Sequence, residues 1–270
     1  MMKIGFIGLG NMGGSLARLV AQDERYRNEL LLANRSRDKA EKIAAEVGGQ
    51  PVSNAEVFAQ AEVIFLGIKP AQFADLLADY REILEKRDSL LLVSMAAGLT
   101  LEILEKLTPS HHRWIRMMPN TPVAVGEGVI SFALSQQAHQ ADEDLLRELL
   151  SSAGILVKLD EKQLDAATAL AGCGPAFVYL FIEALADSGV RAGLSRDISL
   201  QLANQTLLGA AKLSQISGQH PAQLKDQVCS PAGSTIAGVA SLEENAFRGT
   251  VMDAVQAAYK RTQELGKSGN

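Results

Sequence analysis

Ile4-Gly5-Phe6-Ile7-Gly8-Leu9-Gly10-Asn11-Met12-Gly13 is a short apolar strand running straight into Gly-x-Gly-x-x-Gly. In that pattern Gly8 makes the tight turn, Gly10 leaves room for the backbone to approach a pyrophosphate, and Gly13 lets the next helix pack on the strand. Amides and the macrodipole at the helix start favour the phosphate charge. The glycines also precede the helical spacing Leu16, Ala17, Leu19, Val20, which is the context the pattern requires. A dinucleotide is therefore expected along Gly8, Leu9, Gly10, Asn11, Met12 and Gly13.

Beyond this stretch, apolar runs alternate with helical patterns. Ile4 to Ile7, Leu30 to Ala33, Val63 to Ile68, Leu90 to Met95 and Trp114 to Met118 read as strands. Arg37 to Val47, Ala71 to Leu84 and Leu101 to Leu107 read as helices, with Ser36 and Thr100 as N-caps. This alternation predicts a doubly wound, mainly parallel α/β sheet. Val129 to Leu134 and Ile155 to Leu159 add two strands around a helical segment from Asp142 to Ala153. Beyond Asp160-Glu161-Lys162 only helical spacing remains, so the domains are expected at 1–160 (dinucleotide-binding) and 161–270 (all-α). Broad apolar faces in the second half are more readily stable in a dimer than alone.

The 270 residues carry a net charge of −5 with no basic block, which argues against a nucleic-acid surface. Cys173 and Cys229 give no disulfide framework, and no signal peptide is evident, so a cytoplasmic location is expected. The most apolar segment, Ala176 to Ile182, is interrupted at Glu183 and Asp187 and reads as too short to span a bilayer. His111-His112 read as strand neighbours facing opposite ways, so no metal site is expected.

The second strand ends Ala33-Asn34-Arg35-Ser36. No carboxylate stands there to repel a 2′-phosphate, and Arg35 offers a planar charged fork. NADPH is expected over NADH, with NADH still possible and Asn34 and Arg35 at the adenosine end. Gly67-Ile68-Lys69-Pro70 and Met95-Ala96-Ala97-Gly98 lie at strand carboxyl ends, where small residues leave space for a nicotinamide. Asn54, opening a helix, serves either the cofactor or as an N-cap. Ser230-Pro231-Ala232-Gly233-Ser234-Thr235 precedes an apolar helical run. It reads either as a carboxylate site built on unpaired amides and hydroxyls or as simple helix capping.

Four motifs occur in order: Ile68-Lys69-Pro70; Arg116-Met117-Met118-Pro119-Asn120-Thr121-Pro122; Ala171-Gly172-Cys173-Gly174-Pro175-Ala176-Phe177; and Leu224-Lys225-Asp226-Gln227-Val228-Cys229 continuing into Ser230 to Thr235. Together they closely resemble the pyrroline-5-carboxylate reductase family, over essentially the whole chain. That resemblance implies reduction of a cyclic imine to L-proline by NAD(P)H. It also implies a Rossmann domain followed by a helical domain that interlocks with a partner subunit, as a homodimer, with assembly into a larger ring left open.

The resemblance further implies Ser230, Gly233, Ser234 and Thr235 at the substrate, Asn120 at the cofactor, and Thr168 near the substrate nitrogen. The alternative for Thr168 is a helix-interior hydroxyl bonded to its own backbone. Two departures stand out: Cys173 where the family commonly has Ser, and Ala232 where it commonly has Gly. Ala232 would be strained if that backbone needs positive φ. Cys173 reads as a small core residue.

The opening stretch resembles β-hydroxyacid dehydrogenases as closely. Those enzymes use a lysine in the helix after the second domain's glycine motif, and none occurs between Lys162 and Lys212. A catalytically silent NADP-binding regulator on the same fold is the alternative from another class.

Overall fold

The computed structural model describes residues 2–268. In chain order the elements are β1 (Ile4–Ile7), α1 (Asn11–Val20), α2 (Glu24–Arg27), β2 (Leu30–Ala33), α3 (Arg37–Val47), β3 (Gln50–Pro51), α4 (Asn54–Gln60), β4 (Val63–Leu66), α5 (Phe73–Asp79), α6 (Arg81–Lys86), β5 (Leu91–Ser94), α7 (Leu101–Lys106) and β6 (Arg113–Pro119). There follow β7 (Gly128–Leu134), α8 (Gln140–Leu149), β8 (Gly154–Lys158), α9 (Leu164–Ala167), α10 (Gly174–Arg191), α11 (Arg196–Ser217), α12 (Pro221–Gln227), α13 (Ser234–Glu244) and α14 (Phe247–Ser268). The sheet order is β3-β2-β1-β4-β5-β6-β7-β8, parallel throughout except for the β6/β7 pair. The strand order reverses between β1 and β4, and in such sheets that is where ligands bind.

Every residue of β1, β2, β4 and β5 is buried, because helices cover both faces. Phe6, Leu32, Phe65 and Val93 belong to one core cluster, with α1, α3 and α8; Ile7, Leu31, Ile64 and Leu92 belong to the other, with α4 to α7. Phe6 and Phe65 stack with ring centroids 4.8 Å apart. Each fully buried side chain of this size contributes about 1.5–3 kcal/mol.

The chain divides into two compact units, Met1–Cys173 with Ala258–Asn270, and Gly174–Ala257. The first thus includes the beginning of the helical region. In the second, α10 and α11 approach through small side chains: a Cβ on Gly189 would lie 2.6 Å from Ser199 Oγ, and Ala186 and Ala203 are buried.

Several local expectations are corrected. The helix expected over 71–84 is broken at Tyr80, whose φ of −111° and ψ of 15° leave the helical region; its ring packs on Phe58 instead. Ser53, not Asn54, caps α4: Ser53 Oγ accepts from Glu56 N and Ser53 N donates to Glu56 Oε2 at 2.8 Å. Thr100 caps α7 as expected, but Ser36 makes no side-chain cap on α3.

His111 and His112 lie in the turn before β6, not in a strand, and their rings are 4.2 Å apart, not on opposite faces. His112 is 1 % exposed; its Nδ1 accepts from Leu90 N and its Nε2 donates to Leu84 O. Glu183 and Asp187 do not interrupt the helix that holds them. Glu161–Arg191 is one helical run of 31 residues whose most apolar window has a mean hydropathy of 1.7, long and apolar enough to cross a membrane by length and composition. Only 11 % of that window is buried among the described residues.

Candidate functional site

β1 delivers Gly8 at φ +91°, where a Cβ would lie 2.6 Å from Gly67 O. A Cβ on Gly13 would lie 2.1 Å from Gly8 O, so helix α1 packs against the turn as closely as backbone allows. Gly10 has no heavy atom within 4 Å of where its Cβ would be, leaving its outer side open. No side chain caps α1, so the amides of Asn11, Met12 and Gly13 are left without an intrahelical partner, as an anion site requires.

Asn34 ties the second strand to this loop: its Oδ1 accepts from Leu9 N at 3.0 Å and its Nδ2 donates to Ser36 O. Arg35 is exposed and has no hydrogen bond or ion pair among the described residues, whereas Arg37 is held by Glu41 at 2.9 Å. A groove of about 350 Å³ runs past Leu9, Gly10 and the α1 residues Asn11, Ser15 and Arg18, with Lys39 and Lys42 of α3 also lining it. Lys39 and Lys42 went unnoticed in the sequence. Their spacing of three on α3, just after Arg35, places them on one helix face.

On the other side of the reversal point, Gly67 and Ile68 pack against Gly8. Lys69 and Pro70 are exposed beyond them, and Asn54 is half-buried at the start of α4. Ala97 is half-buried beside Gly98, which has φ +81°. Asn120 is 7 % exposed; its Oδ1 accepts from Val129 N at 2.8 Å and its Nδ2 donates to Ala171 O at 3.0 Å. Its amide therefore organises the protein around it.

Thr168–Gly172 is a π-helical stretch, closed by Cys173 N donating to Thr168 O at 3.0 Å; such bulges are frequent at functional sites. The Thr168 hydroxyl donates to Leu164 O at 2.7 Å. As the structure stands its proton is committed, and its lone pairs are what it offers.

In the helical unit, Gly233 stands before α13 with no side-chain cap. Neither Ser230 nor Ser234 serves as a cap, which leaves the amides of Ser234, Thr235 and Ile236 unpartnered. Ser230, Ser234 and Thr235 are exposed, and a Cβ on Gly233 would meet Ser230 Oγ at 2.3 Å. Ala232 has φ +56°, the strained value that its departure from glycine foreshadowed. The arrangement suits a carboxylate. Among the described residues no three His, Cys, Asp or Glu converge to hold a metal ion.

Residues 161–265 match the family model for pyrroline-5-carboxylate reductase dimerisation, and residues 3–98 match that for NADP oxidoreductase, coenzyme F420-dependent. A pyrroline-5-carboxylate reductase of Pisum sativum is 44 % identical over 97 % of this chain and 95 % of its own. This chain belongs to the pyrroline-5-carboxylate reductase family. Among solved reductases, that of Plasmodium falciparum, with NADP bound, is 36 % identical with a TM-score of 0.87, covering 98 % of each chain. The reductase of Coxiella burnetii is 30 % identical with a TM-score of 0.90, again over 98 % of each. Membership in the reductase family sets aside the β-hydroxyacid dehydrogenase alternative that the opening glycines left open. The dinucleotide-binding fold expected from those glycines and the all-helical region matching the dimerisation model are both present.

Proposed function

We propose that this chain reduces L-1-pyrroline-5-carboxylate to L-proline with NADPH, the last step of proline biosynthesis. The strongest support is the uncapped start of α13: three free amides with flanking hydroxyls recognise the carboxylate that a pyrroline-5-carboxylate substrate must present. When bound, the nicotinamide supplies the hydride, and the protonated imine carbon is already electrophilic. The protein's task is mostly placement. Ser230, Ser234, Thr235 and the Gly233 turn fix the carboxylate. Gly67, Ile68, Lys69, Pro70 and Ala97 border the ring end of the cofactor, with Asn54 nearby. Thr168 stands by the substrate nitrogen, and to donate there its hydroxyl must leave Leu164 O.

Gly8 to Gly13 cradle the pyrophosphate, and Arg35 holds the 2′-phosphate, aided by Lys39 and Lys42. This set favours NADPH over NADH. The exposed apolar faces of residues 161–265 meet a second copy of the chain rather than lipid, and dimers assemble further into a ring. The free thiols Cys173 and Cys229 are consistent with a cytoplasmic location.

The test is NADPH oxidation followed at 340 nm on adding pyrroline-5-carboxylate, with 3-hydroxyisobutyrate plus NADP+ as the control. Turnover only in the first mixture is expected. Turnover only in the control, or in neither, would overturn the reading.

A further inference from the structure

The turn after β5 and the Thr168–Gly172 stretch border the reacting end of the proposed site, and the role inferred here for Arg116 rests on that reading. One buried side chain holds both. Arg116 lies mid-way along β6, between Ser94 of β5 and Ala133 of β7, and is 3 % exposed. Its Nη1 donates to Glu161 Oε1 at 3.3 Å and its Nη2 to Asp165 Oδ1 at 3.0 Å. The same Glu161 oxygen accepts the amide of Leu101 at 2.6 Å, the residue that opens α7 just beyond the turn. Asp165 stands in α9, directly before the π-helical stretch. Just past the end of β6, Asn120 grips the far end of that stretch through Ala171 O.

Arg116 Nε has no partner. A buried guanidinium left with an unused N–H is a poor means of stabilising a fold, since apolar groups of similar volume often do as well or better. A planar fork can, however, hold two separate backbone segments at a fixed distance and angle, which an apolar contact cannot. Placement of that kind matters to a reaction that depends on geometry, because a 1 Å displacement lowers a rate by about a hundredfold.

We propose that Arg116 is a positioning residue for hydride transfer. Through Glu161 and Asp165 it sets the turn after β5 against the Thr168–Gly172 stretch, and Asn120 is the second point of the same clamp.

Arg116→Lys keeps the charge without the fork, and Arg116→Met keeps much of the volume without the charge. Their kcat with NADPH and with 4-deuterated NADPH, the Kd for NADPH and the urea midpoint test the proposal. Expected are a kcat at least about tenfold lower, an NADPH Kd within about threefold of the parent because the glycine loop is untouched, and a larger deuterium isotope effect on kcat. Should Arg116→Met fail to fold, Asp165→Asn, at a partly exposed position, loosens the same clamp and is expected to shift kcat and the isotope effect the same way. A folded Arg116 variant with unchanged kcat, or a rate loss that tracks the urea midpoint with an unchanged isotope effect, would overturn the proposal. Absence of NADPH oxidation by the parent protein would instead overturn the functional reading, and this inference with it.

Discussion

Ala232 holds φ at +56° inside the loop that opens α13. A left-handed conformation disfavours any residue with a Cβ by about 1–2 kcal/mol, part of which glycine loses again in chain entropy. Ala232→Gly is therefore expected to raise the unfolding free energy by about 0.5–1 kcal/mol, read as a higher urea midpoint at unchanged slope. Arg35 is exposed, with its guanidinium unpaired among the described residues, so Arg35→Ala should raise the KM for NADPH by about tenfold or more while leaving that for NADH within a factor of about two. Equal losses with both cofactors would remove Arg35 from cofactor choice.

His112 gives a pH dependence. Burial, then the neighbouring charge of His111, lowers its pKa from 6.5 to about 4. Between those values the unfolded chain binds more protons than the folded one, so stability rises with pH there. The contribution is fully present above pH 6.5 and lost progressively as the pH falls towards 4. Its size is on the order of 3 kcal/mol. Urea midpoints at pH 7 and pH 5 should differ less in His112→Gln than in the parent; an equal drop in both would assign the acid sensitivity elsewhere.

Among the secondary-structure elements, the strands of the sheet were legible because burial on both faces requires unbroken apolar runs, as in Leu30 to Ala33. The glycine turn was legible because its three positions have distinct steric reasons. Gly13→Ala tests the tightest of them: with Gly8 O only 2.1 Å from the added Cβ, the helix must shift. A destabilisation of about 1–3 kcal/mol and a markedly weaker NADPH Kd are expected; parent-like binding would mean that the close approach is dispensable.

Other features left no trace in composition. The break at Tyr80 was hidden because apolar periodicity continues from α5 into α6, whose Leu77 and Leu84 are buried in the same core cluster. The π-helical stretch follows from where Cys173 N finds its acceptor, and the Arg116 clamp from contacts 45 and 49 residues away in the chain. Sequence spacing carries neither. Lys39 and Lys42 were visible as charges, but only the fold turns them towards the groove.

As an assembly, the helical region leaves many large apolar side chains exposed among the described residues. Tyr179, Leu180, Leu202, Leu208, Leu213 and Met252 are each more than half exposed, and the region bearing them matches the dimerisation model. Large apolar surface of this kind marks an interface. Sedimentation of the parent protein should give a dimer or a multiple of it. Leu208→Glu, which sets a charge in that surface, should shift the distribution towards monomer and lower activity with it. A parent protein that sediments as an active monomer would contradict this assembly.

In the proposed reaction the hydride of NADPH goes to the imine carbon of pyrroline-5-carboxylate. Mass spectrometry of the proline formed from unlabelled substrate and NADPH deuterated on the transferring face of the nicotinamide C4 follows that atom itself. L-Proline heavier by one mass unit is expected, with the deuterium on the ring carbon next to nitrogen that does not carry the carboxylate. Unlabelled proline, or no proline, would refute the proposed chemistry.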